Sequence, residues 1–231
     1  MASRPIFMAQ SEGPNLVTKQ SVEFEWYAGM AMSRKQMSMR SLHAQAQALH
    51  PDARILEVSR MSDTGLGEQL SAFNLLFDCP GKRGKIPVEC VFQASKVFER
   101  GGPFVDLLAA SPFDAKRDAR LQSSGDVVGF RLFGQDWPNQ PETAFYDWVY
   151  IKALHQHPHL ASDVLGYDVF TDIAFNPKKS INCQANAVAL YVALVRRGEL
   201  EEALLSKEAF LGVEAHLGSK DGAEGAQGIL F

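Results

Sequence analysis

The sequence predicts a mainly α-helical fold with a small sheet component, an α+β domain, and three observations carry that prediction. Apolar side chains recur at helical spacing over residues 33–50, 142–155 and 182–197. Prolines sit where several helices would start, and glycines or prolines sit where they would stop. Strand-like runs are few and short, at 54–58 and 70–77.

Each element has a local reason. In 33–50, Ser33 can cap the first turn, Met39, Leu42, Ala46 and Leu49 share a face, and Pro51 ends the helix. The run at 70–77 leads into the turn Cys79-Pro80-Gly81-Lys82-Arg83-Gly84. Pro87 opens a short apolar helix, since its missing N–H is an orphan at a first helical position. Gly101 and Gly102 are expected to stop that helix, and prolines open further short helices over 103–110 and 112–122. Phe145, Trp148, Val149 and Ala153 mark the helix at 142–155, and Gly198 ends the one at 182–197, with 199–211 packing beside it.

With 231 residues and 46% hydrophobic content, the chain can bury one good core. The expectation is a single domain over 1–217, with the motif-bearing region at 61–198, an N-terminal extension at 1–60 that contributes to the site, and a glycine-rich flexible tail at 218–231. No apolar run has membrane-spanning length, and residues 1–20 are mixed polar with Pro5 and Pro14, so a cytoplasmic protein without a membrane partner is expected. Cys79, Cys90 and Cys183 show no metal spacing and cannot all pair, which suits thiols in a reducing compartment. His155-x-His157-x-His159 is interrupted by Pro158 and has no adjacent acidic or cysteine ligand, and Gly65-x-Gly67 lacks the third glycine of a dinucleotide turn. Neither supports a metal or a cofactor, and none is expected. A net charge of −4 argues against broad adhesion to a phosphate backbone, so any nucleic acid must meet a local patch.

The most informative stretch is Val88-Glu89-Cys90-Val91-Phe92-Gln93-Ala94-Ser95-Lys96, preceded by Leu70-Ser71-Ala72-Phe73-Asn74-Leu75. Val88, Val91, Phe92 and Ser95 fall on one helical stripe. Glu89 lies about 100° from Val88, where it borders the core and still looks into a cleft.

Both segments resemble the NADAR family. Glu89, Phe92, Gln93, Ala94 and Lys96 match its glutamate-bearing helix motif. Ser71, Phe73 and Asn74 match its Ser-Asn-Phe motif, with Phe and Asn in the opposite order. The run from Ala110 to Arg117 is similar to its Ser-Pro-x-x-Ala-Lys-Arg segment. The family's Trp-Gly and Gly-x-Asn-x-Leu-Gly pieces are replaced here by Phe170-Thr171-Asp172-Ile173 and Ser180-Ile181-Asn182-Cys183-Gln184-Ala185. With the extra stretch from Trp26 to His43, these departures resemble the branch encoded beside DarT-type toxins that ADP-ribosylate guanine in DNA. That resemblance implies an antitoxin that removes the modification, with single-stranded ADP-ribosylated DNA as substrate, ADP-ribose as product and the toxin as functional partner.

Cleaving an N-glycosidic bond to ribose builds positive charge at the anomeric carbon, so a carboxylate beside that carbon and a proton for the departing base are needed. Glu89 is the candidate acid; its alternative is a solvated helix-face glutamate. Lys35, in the first turn of a predicted helix beside Arg34, sits where the helix dipole disfavours its ammonium form. The resemblance implies that its neutral amine attacks C1 of an opened ribose and forms a Schiff base; a surface lysine is equally compatible with the sequence. Trp26 and Trp137 can stack on a base or sit in the core, and Asp136 can accept from ribose or guanine or cap a turn. Asn74, Gln93, Asn182 and Gln184 are amides in apolar elements that require partners. Ser33, Arg34, Ser71, Phe73 and Phe92 complete the expected substrate-binding set. Arg34, Arg40, Lys82, Arg83 and Lys85 are phosphate candidates or scattered surface charge. Two alternatives stay open: an N-glycosidase acting on phosphorylated pyrimidine intermediates of riboflavin biosynthesis, and a module that binds ADP-ribose without hydrolysing it.

Overall fold

The computed structural model describes residues 1–80, 84–178 and 180–214. In chain order its strands are β1 (Ala2–Ala9), β2 (Val17–Phe24), β3 (Ile55–Glu57), β4 (Leu76–Asp78), β5 (Lys85–Pro87), β6 (Lys96–Phe98), β7 (Val127–Leu132), β8 (Gln135–Pro138) and β9 (Val169–Thr171). The helices are α1 (Met32–Leu49), α2 (Gly65–Gln69), α3 (Val88–Ser95), α4 (Pro112–Arg117), α5 (Arg120–Ser123), α6 (Ala144–His155), α7 (Pro158–Val164), α8 (Gln184–Arg197) and α9 (Leu200–Leu205), with a 3₁₀ turn at Val105–Ala109. The expected α+β fold with small sheets is the observed one. Among the described residues no helix is long and apolar enough to cross a membrane.

The largest sheet has four strands in the order β2-β1-β9-β3. β1 and β2 form a hairpin that sequence reading did not predict, paired from Ala2↔Phe24 to Ala9↔Val17. Pro5 argues against a strand, but β9 pairs only with Ile6, Phe7 and Met8. At Pro5 the sheet is an edge on that side, which leaves room for a residue without an N–H. One face of this sheet and α1 enclose a small core of Ile6, Val22, Phe24, Met39, Leu42, Ala46, Met61, Val169 and Ile173. A larger core gathers α3, α6 and α8, including Val88, Val91, Phe145, Tyr150, Val188 and Leu190.

Several predicted elements differ. Residues 70–77 are not one strand. Thr64 accepts from Gly67 N and caps α2, and Ser71 O accepts from both Asn74 N and Leu75 N. The chain therefore turns through 70–74, and Tyr150 Oη donates to Leu70 O from the core side. Ser33 does not cap α1: the helix starts one residue earlier after Ala31 with no side-chain cap, and Ser38 secures its first turns by donating to Arg34 O and accepting from Tyr27 N. Helix α3 stops at Ser95, well before Gly101, because Lys96 is already extended and pairs with Phe130. Gly102, at φ +79°, instead brings the chain back against Lys96 O, where any Cβ would lie 2.3 Å from that oxygen.

Residues 103–110 hold only the 3₁₀ turn, and 112–122 split into α4 and α5, where Asp118 accepts from Arg120 N. The three-stranded sheet β6-β7-β8 was not foreseen. Gly198 closes α8 at φ +71° as expected, and the following helix breaks at Ser206 before 207–214. The predicted tail at 218–231 lies outside the described residues.

Candidate active site

A cavity of about 560 Å³ opens where the two cores meet. Its wall includes Lys35 from α1, Ser59 and Arg60 after β3, Ser71 and Phe73 from the turn after α2, and Glu89, Phe92 and Gln93 from α3. Lys96, Phe113, Lys116, Arg117, Tyr146, Asp172, Asn182 and Gln184 complete its chemistry-bearing lining.

Local hydrogen bonds bring these segments together. Glu89 N donates to Ala72 O at 2.9 Å, so the start of α3 is fastened to the turn that carries Ser71 and Phe73. Ala72 N donates to Gln184 Oε1 at 2.8 Å, and Gln184 Nε2 donates to Asp172 Oδ2 at 2.9 Å. One amide at the head of α8 thus joins the turn to the end of β9. Beneath the wall, Glu57 accepts from Ser59 Oγ, Thr171 Oγ1 and Ile173 N. His43 Nε2 lies 2.8 Å from the same Thr171 hydroxyl, which ties α1 to the end of β9.

Glu89 is 5% exposed. Gln93 Nε2, one helical turn on, donates to its Oε1 at 2.8 Å, and Lys116 Nζ stands 3.5 Å from its Oε2. With its nitrogen donating to Glu89, the Gln93 amide has its oxygen turned away. Among the described residues that oxygen and Asn182 Oδ1 have no hydrogen-bond partner. Burial, aided by the nearby Lys116 and opposed by Glu89, pulls the Lys96 ammonium down to about 8. Its Nζ rests 4.6 Å from the centre of the Phe92 ring. Burial pushes Asp172 up to about 6, although it accepts from Ala174 N, Phe175 N and Gln184. Tyr146 is held well above the usual phenol range by burial. The wall therefore presents a carboxylate, a second carboxyl that titrates high and several amines, one of them depressed.

Of the residues singled out from sequence, the structure brings Lys35, Ser71, Phe73, Glu89, Phe92, Gln93 and Asn182 to this cavity. It does not bring Trp26, Ser33, Arg34, Asn74, Asp136 or Trp137. Trp137 is 3% exposed and packs against Phe145 and Trp148, because strand alternation turns it inward while Asp136 faces out to Arg131. Trp26 meets Phe24 edge-on and lies under Arg4, away from the cavity lining. Ser33 and Arg34 are exposed on the first turn of α1, and helical spacing separates both from the direction of Lys35. Asn74 spends its amide on Glu68 O and holds the turn. Arg40 is paired with Asp63, and Lys85 is not in the lining; Lys82 and Arg83 lie outside the described residues.

Sequence reading did not select Arg60, Lys96, Lys116, Arg117, Tyr146 or Asp172 as site residues. Lys96, Lys116 and Arg117 belonged to the motifs that carried the resemblance, which was the available signal. Asp172 stood in a segment noted only for its departure from the family pattern. Arg60 is a lone arginine in a loop, and no local pattern marks it.

Fold and cavity together define a class: a small α+β protein in which an N-terminal helix, through Lys35, contributes to a cation-rich, acid-floored cavity carried by a helical core. The chain belongs to the family of DarT1-associated NADAR antitoxins, whose model matches residues 2–222. The match takes in the N-terminal hairpin and α1 as well as α3, so Lys35 and Glu89 both fall inside it. No curated protein matches the chain.

Proposed function

We propose that this antitoxin is a hydrolase that removes ADP-ribose from guanine bases in DNA, using Lys35 as nucleophile and Glu89 as acid and base. One observation carries the reading: Lys35 and Glu89, distant in the chain and mounted on different helices, line one cavity. Opening of the ribose ring breaks the C1–O4 bond, with a proton passing from the guanine nitrogen to O4, and leaves C1 double-bonded to that nitrogen. The Lys35 amine adds to C1 and one of its protons passes to the guanine nitrogen; the C1–N bond to guanine then breaks as that nitrogen takes a second proton from the Glu89 carboxyl. A lysine Schiff base remains. Water activated by Glu89 adds to C1, and breakage of the C1–Nζ bond releases open-chain ADP-ribose and restores the amine.

The surroundings support this chemistry. Phe73, Phe92 and Phe113 put aromatic rings in the wall, and the Gln93 and Asn182 oxygens, unpartnered among the described residues, can accept from guanine N–H groups. The net charge of −4 opposes nucleic acid at large, but among the described residues of the cavity lining Lys35, Arg60, Lys96, Lys116 and Arg117 face two acids, Glu89 and Asp172.

The test is incubation with an oligonucleotide carrying ADP-ribosyl-guanine in EDTA, with wild type, Lys35→Ala and Glu89→Ala side by side and borohydride added in parallel. Wild type should clear the adduct and give a trapped protein conjugate that Lys35→Ala lacks. An adduct that wild type leaves untouched refutes the proposal.

A further inference from the structure

We infer that Arg60 and Arg117, together with Lys116, form a phosphate clamp at the mouth of this cavity that holds the diphosphate of the ADP-ribosyl group. The inference rests on the hydrolase reading for the identity of the ligand, and on the following geometry for the site.

The Arg60 guanidinium lies 4.8 Å from the centre of the Phe73 ring and 4.5 Å from that of Phe113, and the two rings meet edge to face at 5.1 Å. Arg117 lies 5.7 Å from the same Phe113 ring. Lys116 Nζ is 5.3 Å from Phe73 and 3.5 Å from Glu89 Oε2. Among the described residues, neither Arg60 nor Arg117 donates a side-chain hydrogen bond or joins an ion pair; the rings are their contacts.

Among the described residues most other guanidinium groups are committed, exposed Arg34 on the first turn of α1 being an exception away from the cavity lining. Arg40, Arg100, Arg120, Arg131 and Arg196 each hold a carboxylate, and Arg197 is spread over the carbonyls of Gln10, Glu12, Gly13 and Asn15. Arg54 also rests on a ring, Tyr167, but stands alone. Two uncommitted arginines converging on one aromatic pair at a cavity mouth are a different arrangement.

A guanidinium held against aromatic rings rather than against a carboxylate keeps its N–H donors available, and those donors can bind phosphate oxygens in pairs. The rings also hold the side chains in place before a ligand arrives, which lowers the ordering cost of binding. Lys116 reaches from the ring pair to Glu89, so a phosphate held at the mouth stands one lysine from the carboxylate on the floor. Phosphate oxygens reach such a mouth from two sources, the diphosphate of ADP-ribose or the backbone of the DNA strand. The cations gather over one cavity instead of running as a stripe, which fits the compact diphosphate.

Calorimetric titration of ADP-ribose, adenosine and an unmodified single-stranded oligonucleotide into wild type, Arg60→Gln and Arg117→Gln tests the clamp. Each variant should weaken ADP-ribose binding by about tenfold or more, the scale of a charge-assisted hydrogen bond. Adenosine and oligonucleotide affinities should stay near wild type. Arg117 is exposed, so its replacement reports on binding without threatening the fold. Unchanged ADP-ribose affinity in both variants overturns the inference, as does a loss confined to the unmodified oligonucleotide, which assigns the arginines to strand phosphates. Hydrolysis by wild type is scored separately: arginine-dependent ADP-ribose binding without turnover sinks the hydrolase reading and keeps the clamp, and turnover with arginine-independent binding does the reverse.

Discussion

Helices α3 and α1 carry the two candidate catalytic groups on supports of opposite character. All eight residues of α3 are buried, and Glu89 is fixed from three sides by the Ala72 carbonyl on its backbone, Gln93 on one oxygen and Lys116 near the other. In α1 only Ser38, Met39, Leu42 and Ala46 are buried. Lys35 stands in its first turn ahead of all four and, among the described residues, has no ion pair or side-chain hydrogen bond. The large core thus holds an acid still, and a small core of one sheet face and one helix holds an amine with freedom to move. A proton donor must be aimed, whereas a nucleophilic amine that forms and then breaks a covalent bond has to follow its carbon through several geometries.

Removing the groups gives the largest expected effects. Under the proposed reaction Lys35→Ala lowers turnover by at least about 10⁴-fold and abolishes borohydride trapping, while its melting temperature stays close to the wild-type value because no side-chain hydrogen bond or ion pair among the described residues is lost. Glu89→Gln is expected to lower turnover by about 10²–10⁴-fold and still bind ADP-ribose, as read by single-turnover kinetics and titration. Equal trapping by Lys35→Ala and wild type would erase the assigned difference between the helices.

The supports themselves come next. Leu42→Ala empties part of the small core and is expected to cost about 2–5 kcal/mol in chemical denaturation. Local hydrogen exchange should rise in α1 before it rises in α3. If exchange rises equally in both, the two cores are one cooperative unit and the comparison fails.

A smaller effect concerns pH. Burial, with the neighbouring Asp172 adding to it, pushes Glu57 up to about 8 from its ordinary 4.5. Between about 4.5 and about 8 the native carboxyl keeps a proton that the unfolded chain has lost, so this group makes stability fall as pH rises through that window. His43 works the other way: burial pulls it down to about 4 from 6.5, and it adds stability as pH rises from about 4 to 6.5. Glu57→Gln should flatten the decline of melting temperature above pH 6.5, where His43 no longer contributes. An unchanged pH profile would show that Glu57 is ionised throughout.

Smallest of all is Asp136→Asn. Asp136 sits on the exposed side of β8 against Arg131, and turnover should remain within about twofold of wild type. A large loss in a steady-state assay would return Asp136 to the site.

Much of the site was legible because its residues cluster in short motifs. Glu89, Phe92 and Gln93 lie within five consecutive positions of one helix, where spacing alone sets relative direction. Trp137 and Asp136 were candidates because composition cannot say which side of a strand faces the core; the pairing of β8 with β7 decides that. Asn74 stood as a binding amide until the turn at 70–74 engaged its side chain with Glu68 O. Arg60 carried no signal, since its role depends on Phe73 and Phe113, two rings brought to it from different segments.

By itself the sequence determined the helical periodicities of α1, α6 and α8, the glycine that closes α8, the acid on α3 and the family resemblance, because each is written in residues close together in the chain. The tertiary structure alone decided the N-terminal hairpin, the turn where a strand was expected, the convergence of Lys35 with Glu89 on one cavity and the seating of Arg60 over two rings. Those depend on contacts between segments far apart, where burial and hydrogen-bond satisfaction across the whole fold outweigh local propensity.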